Sequence, residues 1–166
     1  MWIIKKIYAI CLSLIEHLIG IDFAKKFDTK LRFHKSINLK NPKTLSEKVT
    51  YIELHEQSPM AAMCTDKYAV REYVKSKGME DILIPAVGGP WDNVNQIDFE
   101  TLSYPCILKA THGCKMNYIL NDIKSIDFEN CKRELSKWLK VTYGTYSIEP
   151  HYKAIPHRIS AEKLPV

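Results

Sequence analysis

Residues 104–120 read YPCILKATHGCKMNYIL, and they contain two short apolar runs with a tight loop between them. The runs at 104–111 and 116–122 predict two β-strands, and the short spacing between them predicts a hairpin. A loop that cradles a phosphate group normally needs glycines, because its backbone N–H groups must turn toward the ligand. This loop contains Gly113 alone, so it has the outline of a phosphate-binding hairpin without most of the glycines.

Lys109 interrupts the first of these strands. Side chains alternate between the faces of a strand, so Lys109 shares one face with Ile107 and Thr111, whereas Cys106 and Leu108 share the other. Burying an ammonium group without a partner is costly. We therefore expect Lys109 either to reach water at the strand end or to meet a bound anion.

Outward from this hairpin, further segments have the patterns of strands and helices. ILIPAVGG predicts a strand that closes at a turn formed by Gly88, Gly89 and Pro90, and HRISAEKL predicts another strand. Between them, DFENCKRELSKWLK predicts a helix with Cys131, Leu135 and Trp138 on its buried face. Helices followed by a hairpin, a helix and a strand predict an α+β fold, with α/β as the alternative.

The helices before the sheet have capping signals. Thr44 and Glu47 have the spacing of a capping box, and the helix that follows presents a stripe of Leu45, Val49 and Ile52 on which we expect it to pack. In the next helix, Thr65 is the expected N-cap residue. Val70, Tyr73 and Val74 form its expected buried stripe, and Gly78 marks its end.

The amino-terminal segment predicts an amphipathic helix at 2–21. Its uninterrupted apolar run, residues 7–15, has nine residues, whereas a bilayer-spanning helix needs about 20. Its polar residues, Lys5, Lys6, Ser13, Glu16 and His17, fall within an arc of about 120°. The same pattern fits a helix docked on the domain and a helix that binds a membrane surface or a protein of polysaccharide synthesis.

Composition narrows the class of protein. The chain has 166 residues, 46% of them hydrophobic and 26% charged, which is typical of a globular domain and not of a disordered chain. A net charge of +5 is spread along the sequence, so no nucleic-acid partner is predicted. The five cysteines lack metal-ligand or disulfide spacing, which favours a reducing compartment and predicts no metal site. We expect the protein in the cytoplasm, with the inner face of the membrane as the alternative.

The order of several segments resembles the TupA-like (teichuronopeptide-synthesis) ATP-grasp family. The resemblance runs from about Asn38 to the end of the chain, and it rests on NLKNPKTLSEKVTYIEL, DKYAVREYV, LIPAVGG, LKATHG, ELSKWLKVTYG and PHRISAEKL. It leaves residues 1–37 as an amphipathic helical lead-in and implies, at 38–166, the first lobe of an ATP-grasp domain up to the adenine hinge. It also implies ATP with magnesium as cofactor, and ATP-dependent carboxylate–amine ligation in bacterial cell-surface polysaccharide or polypeptide assembly.

The resemblance also implies which residues bind the nucleotide. Lys67 and Lys109 match the two lysines that face the phosphates, His112 and Gly113 match the start of the glycine-rich loop, and Glu162 matches the hinge glutamate beside the adenine. The family loop reads roughly His-Gly-Ser-Gly-Gly, whereas this chain has HGCKM. The family's magnesium ligands and second lobe follow the hinge, so we expect a truncated chain that is inactive by itself, and its catalytic residues are not assigned.

Two other functions fit the same sequence. One is a non-catalytic binding module, or a remnant of the ligase, that uses the amino-terminal helix to associate with a membrane or with the polysaccharide machinery. The other is a role beside glycosyltransferases, which share the biosynthetic context. The sequence has no D-x-D motif that would support glycosyl transfer by this chain itself.

Overall fold

The computed structural model describes residues 2–56 and 58–164, without the side chains of residues 2–6, 146 and 147. The chain divides into two compact units. The helical unit comprises the described residues of Met1–Ala61 together with Tyr143–Ala154, and the sheet unit comprises those of Ala62–Thr142 and Ile155–Val166. The boundary at residue 37 that the family resemblance implies stays a prediction.

The sheet unit is built on a four-stranded antiparallel sheet of order β1-β4-β2-β3. Its strands are β1 (Ala86–Trp91), β2 (Cys106–Ala110), β3 (Asn117–Leu120) and β4 (Ile159–Lys163). β2 and β3 form the predicted hairpin, and β4 lies between β1 and β2 although it comes last in the chain. With helices outside the sheet, this arrangement confirms the predicted α+β fold.

The Gly88-Gly89-Pro90 segment is not the predicted turn, because it lies inside β1. The pairing of β1 with β4 is irregular there, with register shifts on both sides of Gly88. Gly89 has a φ of 92°, and a Cβ atom at this position would lie 2.9 Å from the carbonyl oxygen of Ile159. Glycine therefore lets β1 approach β4 closely, which explains a sequence that otherwise resembles a turn.

One face of the sheet carries the core of this unit. Cys106, Leu108 and Ala110 alternate as buried residues along β2, as predicted. Helix α6 (Phe128–Trp138) buries Cys131 and Leu135 in the same cluster. Its N-cap residue, Asp127, accepts a hydrogen bond from the backbone N–H of Asn130 at 3.0 Å. The predicted helix and its buried stripe are confirmed.

Two short helices, α4 (Pro59–Thr65) and α5 (Ala69–Ser76), precede the sheet. Thr65 ends α4 and is not the predicted cap of the next helix. Asp66 takes that role, because its carboxylate accepts hydrogen bonds from the backbone N–H groups of Tyr68 at 2.9 Å and Ala69 at 3.3 Å. Gly78, with a φ of 72°, follows the end of α5 as predicted.

The helical unit begins with α1 (Trp2–Ile19) and α2 (Ile21–Phe33), which are separated at Gly20, whose φ is 109°. The helix predicted at 2–21 therefore ends earlier, and a second helix follows it. The core of the helical unit consists of Leu12, Ala24, Leu39, Leu54 and Ile148. None of the helices in the described part of the chain has the length and apolar content that crossing a bilayer requires.

Helix α3 (Leu45–His55) has the predicted capping box but not the predicted packing. The Thr44 hydroxyl accepts the backbone N–H of Glu47, and the Glu47 carboxylate accepts the backbone N–H of Thr44. Leu45, however, is 78% exposed, and Val49 and Ile52 are exposed with it. Leu54 is the buried residue, and it lies about 180° from Leu45 around the helix at 100° per residue. The prediction that α3 packs through this stripe is wrong.

Candidate functional site

The second face of the sheet is polar where β2 and β4 run side by side. Lys109 on β2 lies opposite Ser160 on β4, and Glu162 follows two residues further along β4 on the same face. Arg158, which directly precedes β4, continues the series of alternate residues. The segment 66–76, which includes α5, supplies the charged partners of this face.

We call this group the polar layer. Its members are polar residues of β2, of residues 158–162 and of the segment 66–76 that pair with one another, alternate along one face of β4 or lie near the paired charges: Asp66, Lys67, Arg71, Lys109, Arg158, Ser160 and Glu162. Four of them are cationic and two are carboxylates. The layer therefore has a surplus of two positive charges, which favours an anionic ligand.

Glu162 joins two of the cations. Its Oε2 atom lies 2.5 Å from Lys109 Nζ, and its Oε1 atom lies 3.6 Å from an Nη atom of Arg71. Arg71 also donates a hydrogen bond to the carbonyl oxygen of Ile84 at 2.8 Å. Lys109 is only partly exposed and meets this carboxylate, so it does not simply extend into water. A pocket of about 410 Å³ opens beside Arg71, between α5 and the start of β1.

Asp66 holds a second ion pair of the layer. Its carboxylate lies 2.7 Å from Arg158 Nη2, and the residue is 2% exposed. The same carboxylate accepts the backbone hydrogen bonds at the start of α5. The Arg158 guanidinium also lies over the ring of Tyr68, 5.4 Å from its centroid. Asp66 thus ties β4 to α5.

Lys67 contacts the hairpin loop, because its ammonium group donates a hydrogen bond to the carbonyl oxygen of Gly113. Burial lowers the pKa of Lys67, and the nearby positive charge of Lys109 lowers it further. In the same loop, Lys115 has a φ of 62°, a left-handed conformation that favours glycine. The loop implied by the family resemblance has a glycine at this position, and the φ of Lys115 is one that such a glycine adopts readily.

Two buried polar atoms of the layer have no hydrogen-bond partner within the described residues. They are Arg158 Nε and Ser160 Oγ. Buried polar groups in folded proteins are nearly always paired with protein, water or ligand. Arg158 Nε can only donate, and Ser160 Oγ can donate as well as accept. Both therefore suit an anionic acceptor.

His112 lies in different surroundings. It is fully buried, and its Nε2 atom lies 3.0 Å from the carbonyl oxygen of Trp138, at the end of α6. Its ring stacks on that of His157 with 4.1 Å between centroids, and His157 Nδ1 lies 2.9 Å from the carbonyl oxygen of Leu139. Burial lowers the pKa of His112, which favours the neutral imidazole. The two histidines therefore contact backbone carbonyl groups at the carboxyl end of α6.

Of the residues predicted to bind nucleotide, the structure pairs Lys67 with Gly113 and Lys109 with Glu162, while His112 contacts α6. Their role in nucleotide binding stays a prediction. The sequence analysis missed Arg71, Arg158 and the pairing of Asp66. Arg158 had a detectable signal, since it alternates with Ser160 and Glu162 in a predicted strand. The pairing of Asp66 with a residue 92 positions away had none.

A separate group in the helical unit has the chemistry of metal ligands. One ligand atom from each of Glu53, Glu149 and His151 lies within 4.8 Å of the others. Burial raises the pKa of Glu53, and Lys25, with its Nζ atom 3.6 Å from Glu53 Oε2, already neutralises this carboxylate. Lys25 and His151 thus form an ion-pair network with Glu53. In the polar layer, both carboxylates are paired with cations, so the layer fits an anion and offers no free carboxylate to magnesium.

An antiparallel sheet with one apolar face and one cation-rich face defines an α+β unit whose polar face has the charge to suit an anion. Residues 47–166 match the family described as TupA-like ATPgrasp. The chain belongs to this family. No curated protein and no solved structure matches the chain.

Proposed function

We propose that the polar layer binds the phosphates of ATP, and that the chain supplies this nucleotide site to a carboxylate–amine ligase of bacterial cell-surface polysaccharide or polypeptide assembly. One observation carries the nucleotide site. Three cationic side chains pair with two carboxylates over one face of the sheet, and a fourth cation, Lys67, lies near them. Two buried polar atoms beside them have no partner within the described residues. The ligation chemistry and the biosynthetic context are what membership of the ATP-grasp family implies.

Lys67 and Lys109 are the proposed phosphate-binding lysines. Burial disfavours the charged form of Lys67, as the lowered pKa shows, and a bound polyphosphate would favour it again. Lys109 pairs with Glu162, which holds the lysine side chain in position before the anion binds. Charge-assisted hydrogen bonds to phosphate are among the strongest that a protein makes.

Gly113 and Glu162 have supporting roles in this proposal. Gly113 accepts the Lys67 hydrogen bond and places the loop next to the ammonium group. Glu162 lies on β4 beside Ala86 of β1, which lines the pocket of about 410 Å³ next to Arg71. That pocket is the proposed site of the base. When bound, ATP supplies the phosphoryl group that activates a carboxylate for attack by an amine.

Thermal unfolding with and without ATP and magnesium tests the nucleotide site. A ligand at 100 times its dissociation constant stabilises the native state by about 2.7 kcal/mol, which raises Tm by roughly 5–10 °C in a chain of this size. We expect this shift with ATP and a smaller one with AMP, because the layer binds phosphates. Equal shifts with both nucleotides would place binding at the base alone.

The substitution Lys109→Met separates a specific site from general attraction to the net positive charge. We expect it to abolish the ATP-dependent shift, since it removes a cation from the layer, while Arg71 still pairs with Glu162. Lys140→Met is the matched control, because Lys140 is exposed and makes no ion pair with any described residue. No shift in the unmodified protein, or the same shift in both variants, would contradict the proposal.

A further inference from the structure

The outer surface of the helical unit has a feature that nucleotide binding does not explain. Helix α1 buries Leu12 in the core, yet its opposite side is also apolar. At 100° per residue, four exposed residues fall within an arc of about 80°: Ile7, Ile10, Leu14 and Leu18. A helix that is apolar on two sides has a partner for only one of them in this unit.

Helix α2 repeats this arrangement and adds positive charge. Phe23, Phe27 and Leu31 are exposed and fall within an arc of about 80°. Lys26 and Lys30 flank this stripe. Together with Phe23, Phe27 and the following chain at Ser36 and Ile37, the lysines line a groove of about 340 Å³. An apolar groove with two ammonium groups at its rim suits a ligand that has an acyl chain and an anionic head group.

The carboxylates of these two helices are all engaged within the helical unit. Glu16 pairs with Lys153, Asp22 pairs with His55, and Asp28 is buried beside Tyr8. Lys26 and Lys30, in contrast, form no ion pair with any residue that the structure describes. The charge offered to a partner by α2 is therefore positive and lies directly beside exposed phenylalanines.

We propose that the exposed stripe of α2, together with that of α1, docks the protein on the surface of an anionic phospholipid membrane. The phenylalanines and leucines enter the acyl–headgroup boundary, and Lys26 and Lys30 contact lipid phosphates. A neutral protein surface would use the same apolar area, but it would leave the two lysines without counter-charges. This inference is independent of the nucleotide site.

Flotation with vesicles tests the proposal on the full chain. We expect binding to phosphatidylcholine vesicles that contain phosphatidylglycerol, and little binding to pure phosphatidylcholine. Binding should weaken as salt is raised, because the Debye length falls from about 10 Å at 0.1 M to about 3 Å at 1 M. Equal binding to both vesicle types, or no binding to either, would overturn the proposal.

Two variants separate the apolar from the electrostatic contribution to vesicle binding. Replacing both lysines, Lys26→Gln with Lys30→Gln, should weaken partition onto anionic vesicles about 30-fold, since each lysine near the surface contributes roughly fivefold. Replacing the α2 stripe, Phe23→Gln with Phe27→Gln and Leu31→Gln, should weaken it at least as much as the loss of both lysines. All five residues lie on the outer side of α2, so the fold measured by circular dichroism should persist.

The control variant carries three matched changes on α3: Leu45→Gln with Val49→Gln and Ile52→Gln. On average these residues are more exposed than the α2 stripe, and the charges of Glu47 and Lys48 beside them cancel. We expect this variant to bind vesicles normally. An equal loss in the control would mean unspecific adhesion. A different result would assign the surface to a second copy of the chain. In that case the protein would not bind vesicles, and light scattering would show a dimer that the α2 variant dissociates.

Discussion

The sheet unit and the helical unit differ in the kind of chemical group that is left in excess. In the sheet unit, apolar residues fill the core on one face of the sheet, and the surplus on the other face is positive charge, with buried polar atoms beside it. In the helical unit, the carboxylates of α1 and α2 are engaged by neighbouring side chains, and the surplus is exposed apolar area on α1, α2 and α3, with Lys26 and Lys30 beside the stripe of α2. The two surpluses imply ligands of different chemistry.

The difference follows from how each unit is built. The sheet presents two flat faces with alternating side chains, so one face can be apolar while the other gathers charges. A helix presents its whole circumference, and α1 carries apolar residues on two sides of it. The two proposals therefore assign a nucleotide to the sheet unit and an anionic membrane surface to the helical unit. The following substitutions test whether that contrast holds in solution.

Asp66→Ala should have the largest effect on stability. The carboxylate is buried, pairs with Arg158 and accepts two backbone hydrogen bonds at the start of α5. Arg158 is only partly buried, so its unpaired charge costs about 3 kcal/mol, and the lost helix cap adds about 1 kcal/mol, giving about 4 kcal/mol in all. We expect this loss in urea-induced unfolding followed by circular dichroism. Asp81→Ala, an exposed change in the same unit, should stay within about 0.5 kcal/mol. A similar small loss for Asp66→Ala would mean that the polar layer is hydrated and weakly paired.

Leu135→Ala compared with Leu14→Ala tests the apolar half of the contrast. Leu135 is fully buried against the sheet, and its truncation should cost about 3 kcal/mol through lost contacts and a residual cavity. Leu14 is 55% exposed, so its truncation should stay within about 0.5 kcal/mol. The measurement is again the free energy of unfolding in urea. Comparable losses at the two positions would show that the outer side of α1 is covered in solution.

Sequence patterns predicted those elements whose periodicity and packing agree. The β2–β3 hairpin, β4 and α6 are such cases, because alternation or helical spacing of their apolar residues matches the face that is buried. The prediction of a turn at Gly88 was wrong for a physical reason. The same glycines that permit a turn also permit the close approach of two strands. Sequence alone does not distinguish these uses.

The sequence predicted only some of the residues of the candidate site. Lys109 was conspicuous because it interrupts an apolar strand, and Glu162 came from the family resemblance. The partners that set the charge of the layer, Arg71 and Arg158, depend on how α5 and β4 meet. Such long-range pairing has no local signature. The prediction of how α3 packs was wrong for a related reason. An apolar stripe indicates a preferred face but does not show that a partner is present.

Thr44→Ala should have the smallest effect of the changes expected to destabilise the protein, and it sharpens the contrast within α3 itself. Because the Leu45 stripe is exposed, the capping box contributes more to this helix than the stripe does. Loss of the Thr44 hydroxyl removes the hydrogen bond to the Glu47 backbone N–H and should cost about 1 kcal/mol. Thr44→Ser keeps the hydroxyl and should restore most of the stability, as measured by urea-induced unfolding. Leu45→Ala should be nearly neutral, since alanine is the better helix former. The reverse order, with Leu45→Ala costing more than Thr44→Ala, would show that the stripe of α3 is packed after all.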